Sequence, residues 1–178
     1  IKDLLGNDRI NTIAIATQHN LHAEQIKIAL SAGKNVFVEK PLALNSNECQ
    51  KIISSAKLGK VKLSVGNFRR YKKNGMWLKG LLSSGDLGDI EKFSFYEGGK
   101  YNWPVSTDSF WKKESAGGGV LFDTGAHTID QLSWWLGDIK LLNYEDDELG
   151  GVEADCRIRF ELANGAIGLV ELSRTRGL

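Results

Sequence analysis

The sequence has few cysteines, few prolines and almost no net charge. Cys49 and Cys156 are the only cysteines in 178 residues, which excludes a disulfide-based scaffold. Two prolines and an aromatic content of 9% favour a globular chain over a disordered one. A formal net charge of +1 gives no general attraction to nucleic acid or to an anionic membrane, and no apolar run approaches the roughly 18 residues of a membrane span. We therefore expect neither nucleic acid nor a membrane as a partner.

The first third of the chain alternates between strand and helix patterns. The apolar run 10–16 and the run 35–38 are typical of strands buried on both faces of a parallel sheet. Between them a helix starts at His19 or Asn20 and stops at Gly33. A second helix is predicted from Asn45, with Glu48 completing a capping box, to Leu58, and a third strand over 62–66. This pattern predicts a doubly wound, Rossmann-like α/β sheet.

The rest of the chain does not continue the alternation of buried strands and helices. The spacing predicts a helix over 71–84, a half-exposed strand over 90–97, an irregular tryptophan-rich segment over 98–115 and a long helix after the glycines 117–119. Residues 154–162 alternate between apolar and charged, and Asn164-Gly165 predicts a type I′ turn into a strand over 167–172. We expect an α+β domain over 69–178 with a mostly antiparallel open sheet, separated by a cleft from a dinucleotide-binding part over 1–68.

Lys40 is the first candidate for chemistry. It follows the strand 35–38, and ligands of open parallel sheets bind outside the carboxyl ends of the strands. Pro41 constrains the backbone of Lys40. The alternative is an ordinary surface lysine at a turn.

The helix after Gly119 carries a second candidate group. Asp123 and His127 lie one helical turn apart, and such a pair is suited to general acid/base work with an orienting carboxylate. The alternative is a solvated helix face, since both residues lie opposite an apolar stripe; Trp134 on the same side argues against it. The three glycines let a backbone or a ligand approach the start of this helix closely.

Two other kinds of site have weaker support. His19 and His22, with Asp123 and His127, allow a metal-dependent hydrolase, but no familiar ligand spacing is completed, and we predict no metal. The Gly-x-Ser-x-Gly motif of a nucleophile elbow is absent. Arg69 and Arg70, after the third strand, either bind an anion or form surface ion pairs.

Several motifs together resemble one family. They are Ala16-Thr17, Asn20-Leu21-His22, the run 32–43 that contains Glu39-Lys40-Pro41, and the run 117–130 that contains Asp123 and His127. In order and separation they are similar to the glucose–fructose oxidoreductase and inositol dehydrogenase (Gfo/Idh/MocA) family. The resemblance implies an NAD- or NADP-binding Rossmann domain followed by a domain whose open sheet mediates oligomerisation.

The resemblance also implies roles for particular residues. It assigns Lys40, Asp123 and His127 to catalysis, with His127 as the acid/base. It places Thr17, His22, Glu39 and Lys40 on the cofactor side, and Arg70, Trp111, Asp123 and His127 on the substrate side.

Two features depart from the family pattern. Thr17-Gln18-His19 stands where the family usually has Thr-Pro-Asn, so the nicotinamide loop is expected to differ. The chain has no Gly-x-Gly-x-x-Gly phosphate loop. We interpret residues 1–178 as the central part of a longer enzyme, with the N-terminal part of the Rossmann domain and the last sheet strands missing.

The leading functional hypothesis is reversible hydride transfer between NAD or NADP and a secondary alcohol of a sugar, nucleotide sugar or cyclitol. In this hypothesis an amine from the first domain, Lys40, and the imidazole of His127 meet at the substrate carbon. A cytoplasmic homo-oligomer, associated through the C-terminal sheet, is expected. The alternative is a non-catalytic binding or assembly module that has lost its dinucleotide.

Overall fold

The computed structural model describes residues 2–102, 104–105, 107–148 and 151–178. Trp103, part of the tryptophan-rich segment, lies outside the described residues. The chain forms two compact units. The first contains residues 1–67 and 112–117, and the second contains residues 68–111 and 118–178. No helix among the described residues has both the length and the apolar character needed to cross a bilayer.

The first unit is built on a three-stranded parallel sheet. After a short helix α1 (Lys2–Leu5) come β1 (Thr12–Ile15), α2 (His19–Ser31), β2 (Asn35–Val38), α3 (Ser46–Leu58) and β3 (Leu63–Val65), and the short helix α5 (Lys113–Ala116) joins them from further along the chain. The sheet order is β1-β2-β3. The predicted Rossmann-like α/β pattern is confirmed.

Local sequence signals set the ends of these helices. Asn45 caps α3, because its side chain accepts a hydrogen bond from the backbone N–H of Glu48 at 2.9 Å. Gly33 follows α2 with a φ of +69°, a conformation that glycine adopts without steric cost. Both boundaries agree with the sequence-based prediction.

One face of this parallel sheet is covered and the other is not. The buried core lies on the side of α2 and α3, where Ile26 and Ile52 are fully buried among the inward-facing residues of β1 and β2. On the opposite face Ala14, Phe37 and Ser64 are exposed in the described part of the chain. The expectation that the strands are buried on both faces is therefore wrong here. The strands are added to the sheet in the order β1, β2, β3, and both connections are expected to be right-handed crossovers. Such connections place α2 and α3 on the same face of the sheet.

The second unit packs helices against a four-stranded sheet. Its elements are a 3-10 helix (Phe68–Tyr71), α4 (Lys73–Ser84), β4 (Lys92–Gly98), a 3-10 helix (Asp108–Trp111), a π-helical turn (Leu121–Gly125), α6 (Ala126–Leu136), β5 (Ile139–Asp146), β6 (Asp155–Leu162) and β7 (Ile167–Ser173). The sheet order is β4-β7-β6-β5; β5-β6 and β6-β7 are antiparallel, whereas β4-β7 is parallel. No sequence pattern predicts β5.

The alternating pattern of β6 sets the two faces of this sheet. Cys156, Ile158 and Phe160 are buried with Val170 and Leu172 of β7 in a core that includes Leu132 of α6. The charged residues between them lie on the other face. Because alternate side chains of a strand point to opposite faces, the alternation in the sequence indicates this layering directly.

The β6–β7 connection differs from the predicted type I′ turn. Gly165 donates a backbone hydrogen bond of 2.9 Å to Leu162 and has a φ of +86°, whereas Asn164 has no positive φ. A type I′ turn needs positive φ at both central residues, so that prediction is wrong. The turn spans Leu162–Gly165, with glycine taking the left-handed position at its end.

Candidate active site

The predicted cofactor-side residues of the first unit lie at the carboxyl ends of its strands. Thr17 follows β1, Glu39 and Lys40 follow β2, and Gly66 follows β3. Glu39 is exposed, and a Cβ atom at Gly66 would come within 3.0 Å of its carboxylate. The absence of a side chain at Gly66 thus leaves room for the Glu39 carboxylate between neighbouring strand ends.

His22 is a buried connection between two of these loops. Its side chain is fully buried; Nδ1 lies 2.7 Å from the carbonyl oxygen of Pro41 and Nε2 lies 3.1 Å from that of Thr17. The Lys40–Pro41 peptide bond is cis. His22 therefore ties the loop after β1 to the loop after β2, and it contributes to this edge of the sheet by positioning the backbone.

The second unit places His127 in the first turn of α6. His127 is 6% exposed, and its imidazole meets the Phe68 ring edge to face, with centroids 5.1 Å apart. Thr128 beside it is fully buried. A buried imidazole is not part of a solvated helix face, so the solvated-face alternative is wrong for His127.

A carboxylate that the sequence analysis did not single out lies near His127. Arg69 donates two hydrogen bonds of 2.8 Å to Glu97, and the Thr128 hydroxyl donates a third of 2.9 Å. Burial raises the pKa of Glu97, but the hydrogen bonds and charge of Arg69 and the hydrogen bond of Thr128, with a smaller contribution from the charge of His127, bring the net pKa below its ordinary value. Glu97 is therefore held ionised near His127, and its negative charge is balanced by that of Arg69.

Arg70 and Trp111, the predicted substrate-side residues, both have protein partners. Arg70 donates hydrogen bonds of 2.7 and 2.6 Å to the two carboxylate oxygens of Asp130. Trp111 is 46% exposed and stands edge to face against Phe110, with centroids 4.9 Å apart. Arg70 is thus held in a bidentate pair, while Trp111 keeps part of its ring accessible.

Asp123 lies in the π-helical turn that precedes α6. Its carboxylate pairs with the Arg174 guanidinium at 3.2 Å, a contact that the helical spacing of 123 and 127 does not predict. π-helical turns are rare in proteins, and those that occur are often found at functional sites. The turn shows that the predicted continuous helix begins irregularly, at the residues expected to carry chemistry.

Buried hydrogen bonds fix the start of this turn at Gly119. The Glu153 carboxylate accepts hydrogen bonds from the backbone N–H groups of Gly119 and Leu121, at 2.7 and 2.9 Å, and the Glu153 carbonyl accepts one from Val120 at 2.9 Å. A Cβ atom at Gly119 would lie 1.8 Å from that carbonyl oxygen. The glycines thus allow the close backbone approach that the sequence predicted.

Replacing Glu153 with glutamine is expected to lower the free energy of unfolding by about 1–3 kcal/mol. The amide group of glutamine cannot accept a hydrogen bond at its nitrogen, so one of the N–H groups of Gly119 and Leu121 loses its partner. Urea denaturation measures the change. Glu161→Gln is the matched control: Glu161 pairs with Lys140 on the surface, and we expect a change of at most about 1 kcal/mol. Equal effects of the two substitutions would contradict this account.

The described residues offer little support for two other chemistries. They contain no group of three or more His, Cys, Asp or Glu side chains placed to hold a metal ion. Burial, followed by the charge of Glu153, raises the pKa of the Cys156 thiol to about 12, and burial also raises the pKa of Cys49. Since the thiolate is the nucleophile, neither cysteine is activated at neutral pH.

Comparison with known proteins gives the family. Residues 1–67 match the oxidoreductase family with an NAD-binding Rossmann fold, and residues 76–177 match the GFO/IDH/MocA C-terminal domain. Inositol 2-dehydrogenase of Salmonella typhimurium is 33% identical over 137 residues, which are 76% of this chain and 38% of that enzyme.

Two solved structures are similar over almost the whole chain. Levoglucosan dehydrogenase in complex with NADH and levoglucosan has a TM-score of 0.89 at 26% identity, covering 98% of this chain and 50% of the other. GenD2 from gentamicin A biosynthesis in complex with NAD has a TM-score of 0.88 at 27% identity, covering 100% and 52%. The chain thus spans about half the length of the structures it matches. Because the family models cover both units, the predicted resemblance is confirmed, and the chain belongs to the Gfo/Idh/MocA family of NAD-binding oxidoreductases.

Proposed function

We propose that this chain belongs to an NAD(P)-dependent dehydrogenase. The enzyme oxidises a secondary alcohol of a sugar, nucleotide sugar or cyclitol. The observation that carries the proposal is the buried imidazole of His127, next to the Arg69–Glu97 pair, in a chain of an oxidoreductase family. Relatives that act on inositol or levoglucosan support the substrate class.

The first unit offers groups that fit the nicotinamide end of the cofactor. The Thr17 hydroxyl, the Glu39 carboxylate and the Lys40 ammonium follow adjacent parallel strands, where open α/β sheets bind their ligands. A carboxylate suits ribose hydroxyls as an acceptor, and the gap at Gly66 leaves the Glu39 carboxylate room. Thr17, Glu39 and Lys40 would hold this part of the cofactor, with His22 fixing the loops that carry Thr17 and Lys40.

The nicotinamide supplies the acceptor for the hydride when it is bound. As the C–H bond gives up its electron pair, the hydroxyl proton leaves and the alcohol becomes a carbonyl. His127 takes this proton as general base, and Asp123 orients the substrate and the imidazole. Lys40 stabilises the developing alkoxide by a charge-assisted hydrogen bond. Trp111 offers its accessible ring to the apolar face of the substrate, and Arg70 contributes to the substrate side while paired with Asp130.

The proposal is tested with the intact protein. Calorimetry measures the affinity for NADH and NADPH, and NADH absorbance follows the oxidation of a panel that includes myo-inositol, scyllo-inositol, levoglucosan and nucleotide sugars. We expect one nicotinamide cofactor to bind and at least one polyol to be oxidised. Absence of cofactor binding would overturn the dehydrogenase and favour the non-catalytic module that has lost its dinucleotide. Cofactor binding without turnover of any compound in the panel would contradict the proposed substrate class.

A further inference from the structure

Arg174 is a buried cation that no sequence motif indicates. It follows β7 directly, its side chain is 6% exposed, and its backbone N–H donates to the carbonyl oxygen of Ala154 at 2.8 Å. Its Nη2 atom donates to the carbonyl oxygen of Gly119 at 3.1 Å and to the Asp123 carboxylate at 3.2 Å. One guanidinium therefore contacts both the Asp123 side chain and the backbone at the start of the turn that carries Asp123.

Three aromatic rings surround the same guanidinium. Its central carbon lies 4.7 Å from the ring centroid of Phe110, 5.4 Å from that of Tyr101 and 5.9 Å from that of Trp111. These distances fall within the range of cation–π attraction. The rings also contact one another, since Tyr101 stacks on Phe110 at 5.3 Å and Trp111 meets both edge to face. We call Tyr101, Phe110 and Trp111 the aromatic cluster.

The remaining polar atoms of Arg174 are not satisfied by hydrogen bonds. Its Nε and Nη1 atoms are buried and have no hydrogen-bond partner within the described residues. The aromatic faces, the Asp123 carboxylate and the carbonyl oxygen of Gly119 therefore compensate the charge. Burying a charged pair gains little stability over an apolar one, because desolvation offsets the attraction. A cation in this place is better explained by what it holds in position.

The geometry points to Arg174 as a positioning residue, which fixes the Asp123 carboxylate and seats the aromatic cluster with its partly accessible Trp111. This inference rests on the proposed function, in which Asp123 and Trp111 face the substrate. Arg174 does not touch the substrate; it acts through these two residues. Gly119 donates its N–H to Glu153 and accepts a hydrogen bond from Arg174 at its carbonyl oxygen. These two bonds fix the backbone at the start of the turn that carries Asp123.

The kinetic test is a double-mutant cycle in the intact protein with Arg174→Met, Asp123→Asn and the double variant. We expect Arg174→Met to lower kcat about 10-fold or more while the affinity for NADH stays unchanged, and the same change to cost less than about threefold in the Asp123→Asn background. Arg174→Lys restores the charge without the planar fork and should recover part of the loss.

Arg176→Met is the matched control, since Arg176 is exposed and pairs with Asp155; we expect kcat within about twofold of wild type. Additive effects in the cycle, or an equal loss in Arg176→Met, would overturn the role.

A second measurement does not depend on turnover. With 5-fluorotryptophan incorporated, the Trp111 resonance is assigned by its loss in Trp111→Phe; with Asp labelled at the carboxyl carbon, that of Asp123 is assigned by its loss in Asp123→Asn. Arg174→Met should shift or broaden both resonances, and Arg176→Met should leave both unchanged. Unchanged resonances in Arg174→Met would overturn the inference even in an active enzyme. If no polyol is oxidised, the proposed function fails while these two resonances still decide whether Arg174 positions its neighbours.

Discussion

Replacement of His127 by alanine is expected to lower kcat by about 10²–10⁴-fold, the usual contribution of a general acid/base. The imidazole is the proposed acceptor of the substrate hydroxyl proton, and no other histidine lies in the second unit. The Glu97 carboxylate, held by Arg69 and Thr128, remains in place in this variant. Because its pKa lies below the ordinary value, it does not replace the imidazole as a proton acceptor near neutral pH. The measurement is steady-state oxidation of the polyol identified in the substrate panel.

Two controls separate chemistry from folding in this experiment. NADH affinity is expected to stay within about threefold of wild type, since the proposed cofactor residues lie in the first unit. His127→Asn keeps a polar side chain of similar reach at this buried position, so it should fold well and lose kcat to a similar extent. A variant that turns over at the wild-type rate removes His127 from the mechanism.

The substitution Gly119→Ala is expected to lower the free energy of unfolding by about 3 kcal/mol or more. Its Cβ atom would lie 1.8 Å from the Glu153 carbonyl oxygen, 2.6 Å from the Glu153 nitrogen and 2.7 Å from the Glu153 carbonyl carbon. All three are backbone atoms, so no side-chain rotation relieves the overlap. The segment before the π-helical turn must move away from Glu153, which displaces Asp123. We therefore expect the variant that still folds to lose kcat as well.

Gly80→Ala is the matched control for this prediction. Gly80 lies within α4, has no heavy atom within 4 Å of a Cβ position and has no positive φ. Alanine is a better helix former than glycine, so this variant should gain about 0.5–1 kcal/mol. Urea denaturation of both variants tests whether their free energies of unfolding change in opposite directions. A Gly119→Ala variant as stable as wild type would show that Glu153 does not pack against this glycine.

Local sequence patterns predicted a helix or strand well where it buries one face or carries a capping residue. The alternation 154–162 predicts β6 and its buried face, and Asn45 with Glu48 predicts the start of α3. Strand β5 was missed because seven of its eight residues are exposed, which leaves no apolar alternation to recognise. The covered and open faces of the parallel sheet depend on which helices pack there, and a buried strand pattern does not carry that information.

The candidate site divides in the same way. The motifs around Lys40, Asp123 and His127 indicated residues for which roles are now proposed, since short motifs and helical spacing record local chemistry. Glu97 lies 31 residues from Thr128 along the chain, and Arg174 lies 51 residues from Asp123. Neither pair has a sequence signal, because a charged residue with a distant partner looks like any surface charge.

By itself, the sequence determined the alternation of strands and helices, the position of the glycines and the family. These follow from side-chain periodicity, backbone freedom and motif order, all of which are properties of neighbouring residues. Only the tertiary structure decided that Glu153 accepts a hydrogen bond from the N–H of Gly119, that Arg174 donates one to its carbonyl oxygen, and that Asp123 pairs with an arginine beyond β7. Those contacts are formed when β6, β7 and the π-helical turn pack around one core, which brings charges that are far apart in the chain out of water and into contact.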